Sequence, residues 1–423
     1  MSAFVSALAS GVPVHAAGMA GEEWLEVPVG WDAHRWVTAR TERTVVAVAH
    51  TVASSGHLLD AVELLERDPR IQVVFTQAPD RFSNGLGDLL RDLGAVVIPW
   101  HQAIQCEFDL ALAADSAGAH RLRAPCLRLP HGVMHNKLAP AALGGPASGQ
   151  VVGLAAPWLT WYGRLVPASV ALSHVDHRQV LARQCPQALP VARVVGDLCL
   201  DRLLASRALR QRYRRALGVA DTQTLLMVSS TWGPHSLFAT SRAVLGRLLA
   251  QLPQGSYAVV AALHPALWFG HGPRQVTAWL HEARRQGLGM VEPLGWRALA
   301  AAADVAIGDH GSATLYAAAA GVPVLRTPGA PESVRAGTAV AVLARLAPAL
   351  AASGAALPRQ LARAAAAFGP AARESVAARV TSEPGRAAPL LRTEMYRLLR
   401  LPEPVPVAEA APVPVVRPIA VDR

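Results

Sequence analysis

The stretch Asp304–Leu325, DVAIGDHGSATLYAAAAGVPVL, decides the fold. An apolar run closes at Asp309, and a small-residue turn leads into Ser312–Ala320, which has the composition of a helix. Gly321 and Pro323 then open a second apolar run, Pro323–Arg326. A strand, a helix and a strand in such close succession form a βαβ unit, whose returning strand runs parallel to the first. The same alternation extends outward in both directions. Toward the N-terminus lie the runs Thr44–His50 (TVVAVAH), Ile71–Thr76, Ala95–Pro99, Phe108–Ala113, Ala168–Ser173 and Val191–Val195. Helices are expected around His57–Asp68 and over Asn84–Leu93, with Thr51–Gly56 as a loop. After an arginine-rich helical stretch, Leu203–Leu217, the pattern restarts with Leu225–Ser229, Tyr257–Leu263 and Met290–Glu292. Helices are expected over Ser236–Leu252, Gln275–Gln286 and Trp296–Ala303. Continuous apolar strands alternating with helices specify a parallel sheet covered on both faces.

The expected fold class is therefore α/β, with two Rossmann-like, doubly wound parallel-sheet domains facing a cleft. The divisions are 1–40 as an N-terminal extension, 41–202 as the first domain, 203–395 as the second, and 396–423 as a Pro-rich, disordered or polyproline tail. The chain has 423 residues, ample for two domains of roughly 100–200 residues each. It is 52% hydrophobic and 17% charged, which excludes a mainly disordered chain. Four cysteines without CxxC spacing exclude a disulfide scaffold and a structural zinc site, and suit a reduced, cytoplasmic setting. The net charge of +10 is carried almost wholly by dispersed arginines, Lys137 being the sole lysine. A basic total without a basic cluster is not a nucleic-acid footprint. No clean apolar run reaches the ~18 residues of a membrane span. The apolar first 18 residues lack the positive region of a secretory signal.

In open parallel sheets ligands bind beyond the carboxyl ends of the strands. Of 15 histidines, eight are expected in such loops: His50, His57, His101, His131, His174, His235, His264 and His310. At Gly311–Thr314 the free amides and positive end of the following helix suit a phosphate. A plainer reading makes Ser312 only a helix cap. There is no GxxxxGK[ST] loop, no dinucleotide fingerprint and no GxSxG elbow. His131/His135 and His174/His177 sit in expected loops without a carboxylate partner, so no metal or other cofactor is expected.

Four segments, in order, resemble the CDP-glycerol glycerophosphotransferases of teichoic acid synthesis. LPHGVMHNK is similar to the family's HGTxxK segment, through His131, Gly132 and Lys137. MVSSTWGPHS matches its "PTW" segment through Thr231 and Trp232, followed here by Gly233. ALHP supplies His264 and Pro265, and the Asp304 stretch parallels the family's D…DYSS segment. VVGDLCLDRL, with Gly196 and Asp201, resembles its junction run. Val133 replaces the threonine of HGT, and His310-Gly311 replaces Tyr-Ser, leaving Ser312.

The resemblance implies a GT-B architecture and a transferase of cell-envelope polymer synthesis. A hydroxyl acceptor would attack the β-phosphate of CDP-glycerol and expel CMP, with the nucleotide-linked donor as substrate and no separate cofactor. His131 would be the base and His264 would hold or protonate the leaving phosphate. Donor binding would fall to Thr231, Trp232, Gly233, Arg297, Asp309, His310, Gly311, Ser312 and Thr314. The acceptor side would comprise His50, Ser54, Ser55, Gly56, His57 and Lys137. The family's lipid-linked acceptors imply peripheral association with the inner membrane face. A UDP- or GDP-sugar glycosyltransferase or epimerase of the same fold remains open, as does a non-catalytic scaffold.

Overall fold

Strand β1, Arg43–Ala49, shows why an unbroken apolar run is needed here. Val45, Ala47 and Ala49 pack into one core cluster, whereas Val46 and Val48 pack into another on the opposite face. Successive side chains alternate across a strand, so both faces of this sheet are covered. Strand β8 (Thr224–Ser230) divides in the same way, with Leu225 and Met227 on one face and Leu226 and Val228 on the other.

The computed structural model describes residues 24–30, 33–115, 117–133, 135–139, 149–328, 334–351, 356–416 and 418–420. Most of the expected N-terminal extension, residues 1–23, lies outside them. The first sheet adds β2 (Ile71–Gln77), β3 (Val97–Ile98), β4 (Leu110–Ala113), β5 (Cys126–Arg128), β6 (Ser169–Leu172) and β7 (Ala192–Val194). Its order is β3-β2-β1-β4-β5-β6-β7, with every pair parallel. The second sheet adds β9 (Tyr257–Leu263), β10 (Gly289–Met290), β11 (Val305–Gly308) and β12 (Val324–Arg326), in the parallel order β10-β9-β8-β11-β12. Both are doubly wound, with the order reversing between β1 and β4 and between β8 and β11. Among the described residues, no helix is long and apolar enough to cross a membrane.

Five helices matter for the site: α1 (Val52–Val62), α2 (Leu198–Ser206), α3 (Trp296–Ala302), α4 (Ser312–Ala319) and α5 (Ala387–Leu399). Helix α1 corrects the expectation of a loop over Thr51–Gly56. Thr51 and Ser54 form a reciprocal capping box, so the chain turns helical directly after β1. Strand β5 was not anticipated, being three residues long and closely flanked by Pro125 and Pro130. The arginine-rich stretch is not one helix. It divides into the end of α2, a 3-10 turn over Arg207–Leu209, and a helix over Arg210–Ala216.

The chain finally crosses back. Leu391, Met395, Tyr396 and Leu399 of α5 join the core of the first sheet, although 203–395 was expected to belong with the second. The junction holds this crossover. Asp201 accepts the amides of Gly385 (2.8 Å) and Ala387 (2.9 Å), and a Cβ on Gly196 would meet Glu383 O at 2.9 Å. The described part of the Pro-rich tail is bound, not free. Tyr213 Oη donates to Val413 O (2.7 Å), Val413 N donates to Ser206 Oγ (2.9 Å), and Ile419 N donates to Met290 O (2.7 Å) on the edge strand β10. Prolines suit such an edge because they add no unpaired N–H.

Candidate functional site

Both strand-order reversals open toward one cleft, where the loops after β1, β4 and β5 meet those after β8, β9 and β11. A cavity of about 270 Å³ lies there. From the first half it is lined by His57, His131, Gly132 and Lys137; from the second, by Thr231, Trp232, His264 and His310–Ser312. A neighbouring cavity of about 520 Å³ shares His131, Trp232 and His264 with it. The two histidines therefore stand in the wall between two ligand-sized spaces.

Backbone partners fix the imidazole tautomers. His131 Nδ1 lies 2.5 Å from Ala114 O, a carbonyl that can only accept. Nδ1 therefore carries the proton and Nε2 the lone pair. Burial lowers the His131 pKa, against the opposing pull of Asp115 and the Ala114 hydrogen bond. His264 is the reverse case. Its Nδ1 accepts from Ala266 N (3.1 Å), so the neutral ring carries its proton on Nε2. Burial, with help from Lys137 and His131, lowers its pKa to about 4. One wall thus offers an acceptor nitrogen and a donor nitrogen, as a proton-accepting base and a neutral hydrogen-bond donor require. His57 Nε2 accepts from Gly132 N (2.8 Å) and so holds the turn carrying His131.

Helix α4 starts at Gly311 without any side-chain cap. Ser312, read from sequence as a cap in the plainer reading, instead accepts from Val133 N across the cleft (3.2 Å). The first-turn amides and the positive helix end face the cavity walls, the ready-made arrangement for an anion. The approach is close: Gly132 has φ +77°, and a Cβ there would meet Ser312 Oγ at 2.6 Å. Nearby, Arg335 N donates to Asn136 O (2.8 Å), and Lys137 bridges to Val334, so the 131–137 segment joins the halves.

Several expected residues stand elsewhere. His50 is fully buried, its Nε2 bonded to Ala117 O (2.8 Å). Ser54 and Ser55 are buried in the first turn of α1 and bond Thr51. Gly56 makes room for Arg297, whose Nη2 a Cβ would meet at 2.8 Å. Arg297, on α3, does not line the cavity; its Nη1 sits 3.0 Å from the Asp60 carboxylate. Asp309 spends its carboxylate on three backbone amides, those of Thr231 (2.9 Å), Leu237 (2.8 Å) and Gly311 (3.0 Å). It shapes both second-half loops. Thr314 is buried against Gly308, and Gly233 takes the positive φ of the turn after Trp232. Trp296 was missed as a cavity residue, whereas Asn136, Ser229 and Ser230 lie in strand-end loops expected to bind a ligand and were given no role. The last three border motifs already singled out: Asn136 inside the HGT-like segment, and Ser229 and Ser230 before Thr231.

No family model matches the chain, and no curated sequence does. Among solved structures, the H548A form of the wall teichoic acid polymerase TagF superposes with a TM-score of 0.59. The match covers 86% of this chain and 90% of that one, at 10% identity. TagF without that substitution gives 0.58 over the same shares, at 11% identity. The fold is GT-B-like. Anabaena Alr3699/HepE in complex with UDP-glucose matches 85% of this chain and 99% of that one at 14% identity, but with a TM-score of 0.45.

Beneath the GT-B-like cleft, ligand atoms of His57, Asp60 and Cys199 lie within 4.8 Å of one another. They fit a metal poorly. His57 Nε2 is taken by Gly132, Asp60 is ion-paired to Arg202 and Arg297, and burial holds the Cys199 thiol far above its usual pKa. Two guanidiniums beside the carboxylate oppose a cation.

Proposed function

We propose that the protein transfers a group from a nucleotide-diphosphate donor to an acceptor hydroxyl. The observation that carries this reading is the pair of oppositely protonated imidazoles, His131 and His264, between two cavities beside an uncapped helix start. The donor diphosphate sits at Gly311 and Ser312 in the smaller cavity, with the Lys137 ammonium adding charge. The acceptor enters from the larger one. His131 Nε2 takes the acceptor's proton as its oxygen attacks phosphorus. The His264 Nε2–H donates to the phosphate oxygen on which charge builds.

For the donor itself we infer CDP-glycerol. The oxygen of the acceptor bonds to the β-phosphorus, the bond from that phosphorus to the bridging oxygen breaks, and CMP leaves. The ordered HGT-like, TW, HP and D…S segments support this reading. So does the TagF likeness, one of whose structures is a variant soaked with CDPG. On this reading the protein works on the cytoplasmic side and meets its acceptor peripherally at the membrane face.

Thermal denaturation against CDP-glycerol, CDP, UDP, GDP and sugar nucleotides tests this. A ligand at 100 times its Kd adds about 2.7 kcal/mol. Stabilisation by CDP-glycerol above CDP supports glycerophosphate transfer. Stabilisation by a sugar nucleotide instead moves the reaction to glycosyl transfer. No stabilisation by any nucleotide overturns the transferase reading.

A further inference from the structure

One wall of the smaller cavity, formed by Pro293, Leu294 and Trp296, hangs from a slight support. These residues lie in the turn between β10 and α3. Strand β10 is two residues long and stands at the sheet edge, with Gly289 and Met290 opposite Val260 and Ala261 of β9. Beyond it, Val291 N donates to Ala261 O (3.1 Å) and Gly295 N donates to Glu292 O (2.8 Å). So short an edge strand opens at little cost, and local bonds alone fix the turn poorly.

The C-terminal tail adds a second hold from outside. Val413 is buried in the core on one face of the second sheet, and Val416 packs against the same core. Ile419 packs against the core on the opposite face, so the tail rounds the sheet edge at β10. There Ile419 N donates to Met290 O (2.7 Å), the last residue before the turn. A Cβ on Gly295 would meet Val416 Cγ2 at 3.2 Å, so the tail also presses on the turn itself. Arg284, buried on the helix His281–Arg285, donates to Ala420 O and anchors the far end. The inward residues Val413, Val416 and Ile419 recur every three positions, among prolines at 412, 414 and 418. Three residues make one turn of polyproline II, and fixed proline φ angles keep the ordering cost of such a strap low.

Trp296 carries the contact inward. Its ring lines the cavity and stacks on Tyr316 of α4, with centroids 5.5 Å apart, one helical turn after Ser312. Leu294 reaches the other half, where a Cβ on Gly56 would meet its Cδ2 at 3.3 Å. The turn is thus packed between the tail on one side and α4 and the first half on the other.

We propose that the tail belongs to the nucleotide site: Val416 and Ile419 are positioning residues that hold the Pro293–Trp296 turn in the shape a bound donor needs. They touch no donor atom and act through the turn. A donor held by its phosphates at Gly311 and Ser312 lays its less polar part against the turn's apolar side chains. This role rests on the nucleotide-transfer reading; the hold on the turn does not.

Amide hydrogen exchange and nucleotide titration of three altered chains, beside the full chain, test it. Truncation after Pro414 removes Val416 and Ile419 but keeps Val413 with its bonds to Tyr213 and Ser206. Ile419→Pro removes the N–H given to Met290 O, and Ile419→Val keeps it. We expect the amides of 291–297 to exchange at least about tenfold faster in the truncated chain and in Ile419→Pro, with β8 unchanged. The Kd of the tightest binder among CDP-glycerol, CDP, UDP, GDP and sugar nucleotides should rise at least about tenfold in the same two proteins, and Ile419→Val should match the full chain. Unchanged exchange over 291–297, or unchanged nucleotide affinity, overturns the proposal. Exchange in β8 rising by the same factor also overturns it, because the tail would then support the whole domain and not the turn. If the full chain binds no nucleotide, the transfer reading falls and exchange alone decides the tail's hold on the turn: faster exchange over 291–297 supports it and unchanged exchange overturns it.

Discussion

Replacing Asp60 with Ala tests how the two halves are held together. Asp60 sits on α1, 5% exposed, with its Oδ1 2.6 Å from Arg202 Nη1 and its carboxylate 3.0 Å from Arg297 Nη1. Arg297 belongs to α3 of the other half and is also nearly buried. Removing the carboxylate leaves Arg297, among the described residues, with the Gly56 carbonyl at 3.3 Å as its remaining hydrogen bond and no ion pair, while Arg202 keeps Glu63 at 2.7 Å. A buried charge stripped of its partner costs about 3–5 kcal/mol. At roughly 2–4 °C per kcal/mol, Asp60→Ala should lower the Tm by on the order of 10 °C. Arg297→Met should cost much less, because Asp60 retains Arg202 and the methionine keeps the packing of the arginine stem. The assay is thermal denaturation of the three proteins with and without the stabilising nucleotide. Two results refute the reasoning. One is Arg297→Met destabilising as much as Asp60→Ala. The other is a folded Arg297→Met protein that has lost its nucleotide shift, which would return Arg297 to the donor-binding role expected from sequence.

Further tests address the remaining contacts. His131→Ala should slow release of nucleoside monophosphate by about 10²- to 10⁴-fold while sparing the nucleotide-induced thermal shift. Because burial lowers the His131 pKa and the base acts when neutral, kcat/KM in the wild type should stay level above pH 6.5 and fall only in acid. Gly132→Ala forces a left-handed Ala against Ser312; it should cost at least about 1–2 kcal/mol in denaturation and shrink the nucleotide shift. His135 is buried with its pKa lowered to about 3, so the unfolded chain binds the proton more readily. Stability should therefore fall as pH drops below about 6.5, by about 2 kcal/mol for this group at pH 5, read from urea melts. Truncation after Leu401 removes buried Val413, whose burial is worth about 1.5–3 kcal/mol; an unchanged Tm would mean that the tail is free.

The β1 and β8 runs and the Asp304–Leu325 stretch were legible because sheet burial on both faces demands an uninterrupted local pattern. The site was partly legible for a related reason. Parallel strands deliver their carboxyl ends to one side, so Thr231, His264 and Ser312 could be placed in the cleft from strand boundaries, whereas His131 was reached through the HGT-like segment. Thr51–Gly56 was misread although its Thr-x-x-Ser capping signal is local. Strand β5 is too short to announce itself by periodicity, yet it carries the chain to His131.

Local pattern thus determined the elements, their parallel arrangement and the loops that bear chemistry. Only the tertiary structure decided which polar residues reach the cavity. Arg297 is claimed by Asp60, 237 residues away in sequence, and Asp309 by three backbone amides. The same holds for the proton position on each histidine, set by Ala114 and Ala266, and for the return of α5 and the tail across the molecule. Hydrogen bonds and ion pairs depend on distance and angle in space, and nothing in the spacing along a chain encodes which distant partner will satisfy a buried charge.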